Sequence, residues 1–77
     1  MDNWIAKIDT YLAKELNTNI DVIRNAKSFP ECGIDSLTII YLIQNIENLL
    51  NIKIKDEDIF KLKNYSELIN YITTVME

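Results

Sequence analysis

The sequence predicts an all-α fold: a small four-helix bundle of three longer helices and one short helix, with a long loop between helices 1 and 2. Apolar side chains recur at helical spacing in three stretches of the 77 residues. One segment, residues 51–55, alternates apolar and polar side chains as a strand does, but no second strand is predicted to pair with it. A chain of this length suits one domain, so we expect residues 1–77 to form a single unit.

The first helix is predicted over residues 3–16, and either Asp2 or Asn3 can cap its start. Its apolar side chains recur on one face and indicate an amphipathic helix that packs on a core. They are Trp4, Ile5, Ile8, Tyr11, Leu12 and Leu16.

The segment from residue 17 to residue 33 is predicted to be mostly loop, with one helical turn near residues 21–24. A connection this long in so small a domain is usually functional or held by apolar anchors. The candidate anchors are Ile20, Ile23, Phe29 and Ile34.

The second helix is predicted over residues 36–50 and is the most apolar part of the chain. Helical spacing assigns one set of side chains to the core and a second set to the opposite face, with Ser36 at its top. The inward set is Ile39, Leu42, Ile43, Ile46 and Leu50, and the outward set is Leu37, Tyr41, Gln44 and Asn48. The excess of apolar residues indicates either a face for a partner or a helix buried on most sides.

Asn51 is a plausible end for this helix, and residues 52–55 are predicted to be an extended connection whose isoleucines fill the core. Three acids at 56–58 favour the start of a short helix to about residue 62. They do not suit a metal ion, because adjacent side chains on a helix diverge. The apolar contacts of this short helix are predicted to be Ile59, Phe60 and Leu62.

The last helix is predicted to run from about residue 65 to residue 76. Asn64 followed three residues later by Glu67 is close to a capping box. The apolar face of this helix is Leu68, Ile69, Ile72 and Val75.

The net charge of −4 has the wrong sign for general binding to nucleic acid or to an anionic membrane. Residues 28–52 contain three acids and no Lys or Arg, which favours basic protein surfaces as partners. We expect the protein to stay in the cytoplasm, because the N-terminus lacks the pattern of a signal peptide and no apolar run is long enough to span a membrane. We also expect a monomer. The single cysteine, Cys32, allows no intramolecular disulfide, and we expect no function for it.

Ser36 is the candidate functional residue. It stands in the sequence Gly33-Ile34-Asp35-Ser36-Leu37, between a polar loop and the second helix. A helix start favours an anion, because its first N–H groups lack intrahelical partners and lie at the positive end of the helix dipole. Ser36 is also the expected N-cap of the helix, and this role does not exclude the first. Catalysis is not predicted, because the chain has no histidine to act as a base and Asp35 is too weak a base at neutral pH.

These five residues resemble the attachment signature of the acyl carrier proteins, and the similarity extends from Ile5 to about Val75. The resemblance implies a covalent 4'-phosphopantetheine arm on Ser36 that carries acyl groups as thioesters in fatty acid, polyketide or related biosynthesis. It implies a non-catalytic carrier that is a substrate of a phosphopantetheinyl transferase and of acyl- or aminoacyl-loading and other biosynthetic enzymes. The residues predicted to be recognised by these partners are Asp35, Leu37, Tyr41 and Glu47.

The second helix departs from the pattern of the fatty acid carriers, which display several acids there. Glu47 is its only acid, and Tyr41 and Asn48 stand where acids would be expected. A carrier of a specialised pathway therefore fits at least as well. Two alternatives stay open: an aminoacyl or peptidyl carrier of a nonribosomal peptide pathway, and a non-carrier helical interaction module. An acyl chain could also enter between the helices, along Ile40, Ile46, Ile54 and Leu62.

Overall fold

The computed structural model describes residues 3–76, and within them the chain forms α-helices, one 3₁₀ helix and no strand. The α-helices are α1 (Trp4–Glu15), α2 (Ile20–Asn25), α3 (Ser36–Leu50), α4 (Asp56–Ile59) and α5 (Tyr65–Met76), and the 3₁₀ helix is Pro30–Cys32. The all-α prediction and its three longer helices are confirmed. No helix of this part of the chain combines the length and hydropathy that a membrane crossing requires.

All five α-helices and both long connections contribute to one apolar core, which draws on every amphipathic face predicted above. Its buried members are Ile8, Leu12, Ile23, Phe29, Ile34, Leu42, Ile43, Ile46, Ile54, Ile59, Leu62, Tyr65, Leu68 and Ile72. Three of the four predicted loop anchors are among them, and the fourth, Ile20, packs against the core while partly exposed. These side chains hold the α1–α3 connection against the bundle, and α2 is a complete short helix instead of a single turn.

The predicted short helix was wrong in its length and in one of its contacts. Helix α4 ends at Ile59, and Phe60 is 68% exposed, so it is not a core contact. The cause is the tight turn that follows: the N–H of Leu62 donates to the carbonyl of Ile59 at 3.1 Å. Such i to i+3 bonding keeps Ile59 and Leu62 on the inner side and directs the side chains of Phe60 and Lys61 to solvent.

The predicted capping residues Asn51 and Asn64 are confirmed at the end of α3 and the start of α5. Asn51 ends α3 in the left-handed conformation, with φ 56°. Asn64 caps α5, since its side-chain oxygen accepts from the N–H of Glu67 at 2.9 Å, and the Glu67 carboxylate accepts from the N–H of Lys63 at 2.9 Å. At α1, Asn3 makes no side-chain capping bond, and the alternative cap, Asp2, lies outside the described residues.

Three tyrosine hydroxyl groups connect pairs of helices through hydrogen bonds. The pairs are Tyr11 with Asn45 (α1 to α3, 2.7 Å), Tyr65 with Asp9 (α5 to α1) and Tyr71 with Asp58 (α5 to α4, 2.7 Å). Asp9 also forms an ion pair with Arg24 of α2, and the Arg24 guanidinium lies 5.7 Å from the centre of the Tyr65 ring. The polar cluster of Asp9, Arg24 and Tyr65 therefore joins three helices at the edge of the core.

Replacing Tyr65 with Phe should lower the free energy of unfolding by about 1 to 2 kcal/mol, because it removes one hydrogen bond to a charged group while leaving the packed ring in place. The matched control is Tyr41→Phe, since the Tyr41 hydroxyl makes no hydrogen bond with residues 3–76 and its side chain is exposed. Urea unfolding of the two variants and the parent measures the difference. Equal losses for both would show that the bond between Tyr65 and Asp9 contributes nothing.

Candidate functional site

Ser36 is the first residue of α3 and is exposed. The residue that caps this helix is Asp35, whose carboxylate accepts from the backbone N–H of Thr38 at 2.8 Å. The interpretation of Ser36 as the N-cap was therefore wrong, because the extended conformation that a cap needs falls one residue earlier. The Ser36 hydroxyl makes no hydrogen bond with residues 3–76, which leaves its oxygen open to chemistry.

A tight turn over residues 29–34 precedes Ser36 and sets the start of α3. The carbonyl of Phe29 accepts from the N–H of Cys32 at 3.1 Å and from the N–H of Ile34 at 3.0 Å. Gly33, between them, has φ 88°, a left-handed conformation that favours glycine. Since the side chains of Phe29 and Ile34 are both buried, the turn is fixed at each end and the start of α3 has a defined place.

The turn is also tied to the segment that connects α4 with α5. The N–H of Phe29 donates to the carbonyl of Lys63 at 2.8 Å, and the side-chain amide of Asn64 donates to the carbonyl of Lys27 at 3.2 Å. These two bonds hold the loop before Ser36 beside the start of α5. The two segments are thereby joined next to the residues that precede Ser36.

A cavity of about 250 Å³ is lined by residues of both segments, with Ser36 and Asp35 at its edge. Its walls are mainly apolar, and they are formed by Phe29, Pro30, Ile34, Ile39, Ile59, Phe60 and Leu62, together with Ser28 and Lys63. Of the lining predicted for an acyl chain, Leu62 is present, while Ile40, Ile46 and Ile54 do not line this cavity. Ile46 and Ile54 are core residues, 0% and 3% exposed, so entry of an acyl chain between the helices along them stays a prediction.

Within residues 28–52, the segment that contains Ser36, all charged side chains are acidic. Hydrogen bonds from the backbone N–H and the side chain of Thr38 hold the pKa of the Asp35 carboxyl below its usual value. Asp35 is therefore an anion at neutral pH and cannot serve as a general base for the neighbouring hydroxyl. Cys32 is partly buried, its Sγ donates to the carbonyl of Phe29 at 3.2 Å, and burial raises the pKa of its thiol.

The residues predicted to be recognised by partners differ in their exposure and in their hydrogen bonds. Leu37 and Tyr41 are 80% and 51% exposed on the outward face of α3. Glu47 is partly buried, and its carboxylate accepts from the N–H of Ile54 at 2.7 Å, so it helps to hold the connection after α3. A role in recognition stays a prediction for all of these residues.

Sequence reasoning missed two residues of this region, Phe60 and Lys63. Phe60 is exposed and lines the cavity, as Leu62 does. The three-residue spacing of Ile59 and Leu62 was the signal that could have placed Phe60 outside the core. Lys63 carried no comparable signal, because its place at the cavity depends on contacts between segments that are distant in the sequence.

The surroundings of Ser36 fit a covalent phosphate-linked arm better than a reaction performed by this chain. The exposed hydroxyl has no histidine to activate it, since the chain contains none. The first N–H groups of α3 favour an anion at this end of the helix, and the apolar cavity beside it can cover part of a chain-like substituent. Within residues 3–76, no group of three or more Asp, Glu, Cys or His side chains is placed to hold a metal ion.

Comparison with known proteins identifies relatives over nearly the whole chain. A family model described as phosphopantetheine attachment site matches residues 6–72. A protein named acyl carrier protein from Buchnera aphidicola subsp. Schizaphis graminum is 40% identical over 73 residues, which cover 94% of this chain and 92% of that protein. Proteins of the same name from Wolinella succinogenes and Clostridium perfringens strain SM101 are 31% and 35% identical, each over 87% of this chain and 90% of the relative.

Replacing Asp35 with Asn should remove a pH-dependent part of the stability while keeping a capping side chain. Because the folded-state pKa of Asp35 lies below its ordinary value of 3.8, the carboxylate stabilises the fold above that value. This contribution is lost as pH falls through the folded-state pKa. The difference in unfolding free energy between parent and Asp35→Asn should therefore be positive at pH 7 and shrink in acid.

Urea unfolding at several pH values measures this difference. Asp21→Asn is the control, because it makes the same change of charge in the first turn of α2, away from Ser36. A difference for Asp35→Asn that stays constant between neutral and acid pH would contradict the role of the carboxylate.

Proposed function

The chain belongs to the phosphopantetheine-attachment family that includes the acyl carrier proteins, and we propose that Ser36 is the residue to which its 4'-phosphopantetheine is attached. The observation that carries the proposal is the exposed Ser36 hydroxyl at the start of α3, without a hydrogen-bond partner in residues 3–76 and at the edge of an apolar cavity. Ser36 also lies inside the range that the family model matches.

The residues around Ser36 have separate tasks in this proposal. The first N–H groups of α3 stabilise the phosphate, and Asp35 keeps the helix start in shape by capping it. Phe29, Ile34 and Ile39 offer an apolar surface beside the arm. When attached, the cofactor supplies a terminal thiol that holds an acyl group as a thioester.

As a member of this family, the chain is a carrier protein, and the chemistry at Ser36 is done by other proteins. We propose a phosphopantetheinyl transferase that uses coenzyme A as the modifying enzyme, and acyl-loading and biosynthetic enzymes as later partners. The relatives are named acyl carrier proteins, which supports acyl over aminoacyl cargo. The proposal includes a single carrier domain over residues 1–77, located in the cytoplasm.

We further propose a partner whose docking depends more on apolar burial than on charge, as in a specialised pathway. On the outward face of α3, Leu37 and Tyr41 are exposed and Gln44 and Asn48 are uncharged. The only acid of the helix, Glu47, is engaged with the backbone of Ile54. This face therefore offers little to a strongly basic patch.

Incubation with coenzyme A and a broad-specificity phosphopantetheinyl transferase should add the mass of one phosphopantetheine to the protein, and Ser36→Ala should abolish the gain. The control is Ser28→Ala, because Ser28 lines the same cavity but lies outside the helix start. Intact-protein mass spectrometry measures both. Modification that persists in Ser36→Ala, or is lost in Ser28→Ala alone, would refute the assignment.

Replacing Tyr41 with Ala should weaken binding of the natural partner by about 1 to 3 kcal/mol, the range for a buried aromatic anchor. Binding of the parent should depend only weakly on salt, because the contact is apolar. Folding stability should hardly change, since the side chain is 51% exposed. Calorimetric titration and thermal unfolding measure the two effects.

The converse substitution, Tyr41→Glu together with Asn48→Glu, should improve acceptance of the chain by fatty acid synthesis enzymes that dock through basic patches. Unfolding of the Tyr41→Ala variant, with unchanged partner affinity per folded molecule, would assign Tyr41 to the core and reject this division of the α3 faces.

A further inference from the structure

We propose that Lys63 is a positioning residue for the arm: its ammonium group pairs with the phosphate at Ser36 and directs the arm across the cavity toward the start of α5. This inference rests on the proposed attachment at Ser36. Lys63 lies outside α3 and far from Ser36 in the sequence.

The first support is the shared cavity. Ser36 lines it from the start of α3, and Lys63 lines it from the segment between α4 and α5. Among the described residues that form its wall, the charged ones are Asp35 and Lys63, and the others are mostly apolar. Lys63 is thus the one cation among the described residues of the wall that Ser36 also lines.

The second support is the fixed backbone of Lys63. Its N–H donates to the Glu67 carboxylate at 2.9 Å, and its carbonyl accepts from the N–H of Phe29 at 2.8 Å. The latter bond joins Lys63 directly to the turn that positions Ser36. The base of the lysine side chain is therefore held in place relative to the start of α3, and only the flexible stem has to adjust.

The third support is the distribution of charge. The ion pairs among residues 3–76 are Arg24 with Asp9 and Lys61 with Asp58, so the exposed Lys63 ammonium has no carboxylate partner in that part of the chain. Residues 28–52 contain no Lys or Arg, and Asp35, next to Ser36, is negative. A phosphate at Ser36 would find no cation within residues 28–52, and Lys63 provides one from another segment of the cavity wall.

Covalent attachment of the phosphate at Ser36 would strengthen its pairing with the Lys63 ammonium. Ion pairs at a surface are weak between groups that must both be immobilised. Here the anion would be covalently held beside the same cavity, which raises its effective concentration at the lysine. Pairing would place the arm over the apolar wall formed by Ile34, Ile39 and Leu62 instead of along the outward face of α3.

The experiment uses the modified forms of the parent, Lys63→Gln and Lys61→Gln, each prepared with coenzyme A and a broad-specificity transferase. Lys61→Gln is the matched control, because it makes the same charge change two residues away, on a lysine that is paired with Asp58 at 3.4 Å and does not line the cavity. The ³¹P chemical shift of the phosphodiester is recorded at about 10 mM and about 1 M salt, where the Debye length is about 30 Å and about 3 Å.

At low salt, the ³¹P resonance of the parent should be displaced from that of Lys63→Gln, and high salt should move the parent toward the variant. Lys61→Gln should match the parent. Identical resonances in the parent and Lys63→Gln, or an equal displacement in Lys61→Gln, would overturn the role of Lys63. The mass spectrum separates the two proposals: a parent that gains no phosphopantetheine refutes the attachment itself, whereas a normal gain without the ³¹P effect refutes only the pairing.

Discussion

The position of Ser36 depends on the backbone of Phe29. The Phe29 carbonyl accepts bonds from two N–H groups of the turn that precedes Ser36, and its own N–H reaches the carbonyl of Lys63 on the neighbouring segment. The ring of Phe29 is 4% exposed, so the core fixes the residue that makes these bonds. A shift of Phe29 would move the start of α3 and the facing wall of the cavity together. The packing of Phe29 thus helps to position both the start of α3 and the segment that faces it at the candidate site.

Around this centre, the bundle is held by an apolar core and by polar bonds at its edge. The tyrosine hydroxyls of α1 and α5 reach partners on other helices, and one of them, Tyr71, holds the four-residue helix α4 through Asp58. A helix that short has little stability of its own, because helix formation needs a costly nucleus. Since Ile59 at its end and Phe60 after it form part of the cavity wall, the bond from α5 helps to keep that wall in place.

The sequence allowed the longer helices and most of the core to be predicted, because their apolar residues recur with helical spacing over many turns. The start and end of α3 were predicted at the residues where the structure places them, Ser36 and Leu50. The local sequence pattern was not sufficient where contacts between distant segments determine whether a residue is buried. Phe60 is apolar in sequence and exposed in the structure, and the cavity combines the start of α3 with a segment that follows Ser36 by more than twenty residues. The periodicity of apolar residues within a helix does not predict which distant segment lies beside it.

The hydrogen bond from Cys32 Sγ to the Phe29 carbonyl lowers the reactivity of a thiol that lies close to Ser36 in the sequence. A thioester is open to attack by any nearby thiolate, and Cys32 precedes Ser36 by only four residues. Self-acylation of this cysteine would strip a loaded carrier of its acyl group. Burial raises the pKa of Cys32 and its Sγ donates to a carbonyl, so at neutral pH the sulfur stays protonated and a poor nucleophile. If the proposed arm on Ser36 carries the acyl group, this state of Cys32 disfavours transfer of that group to the thiol.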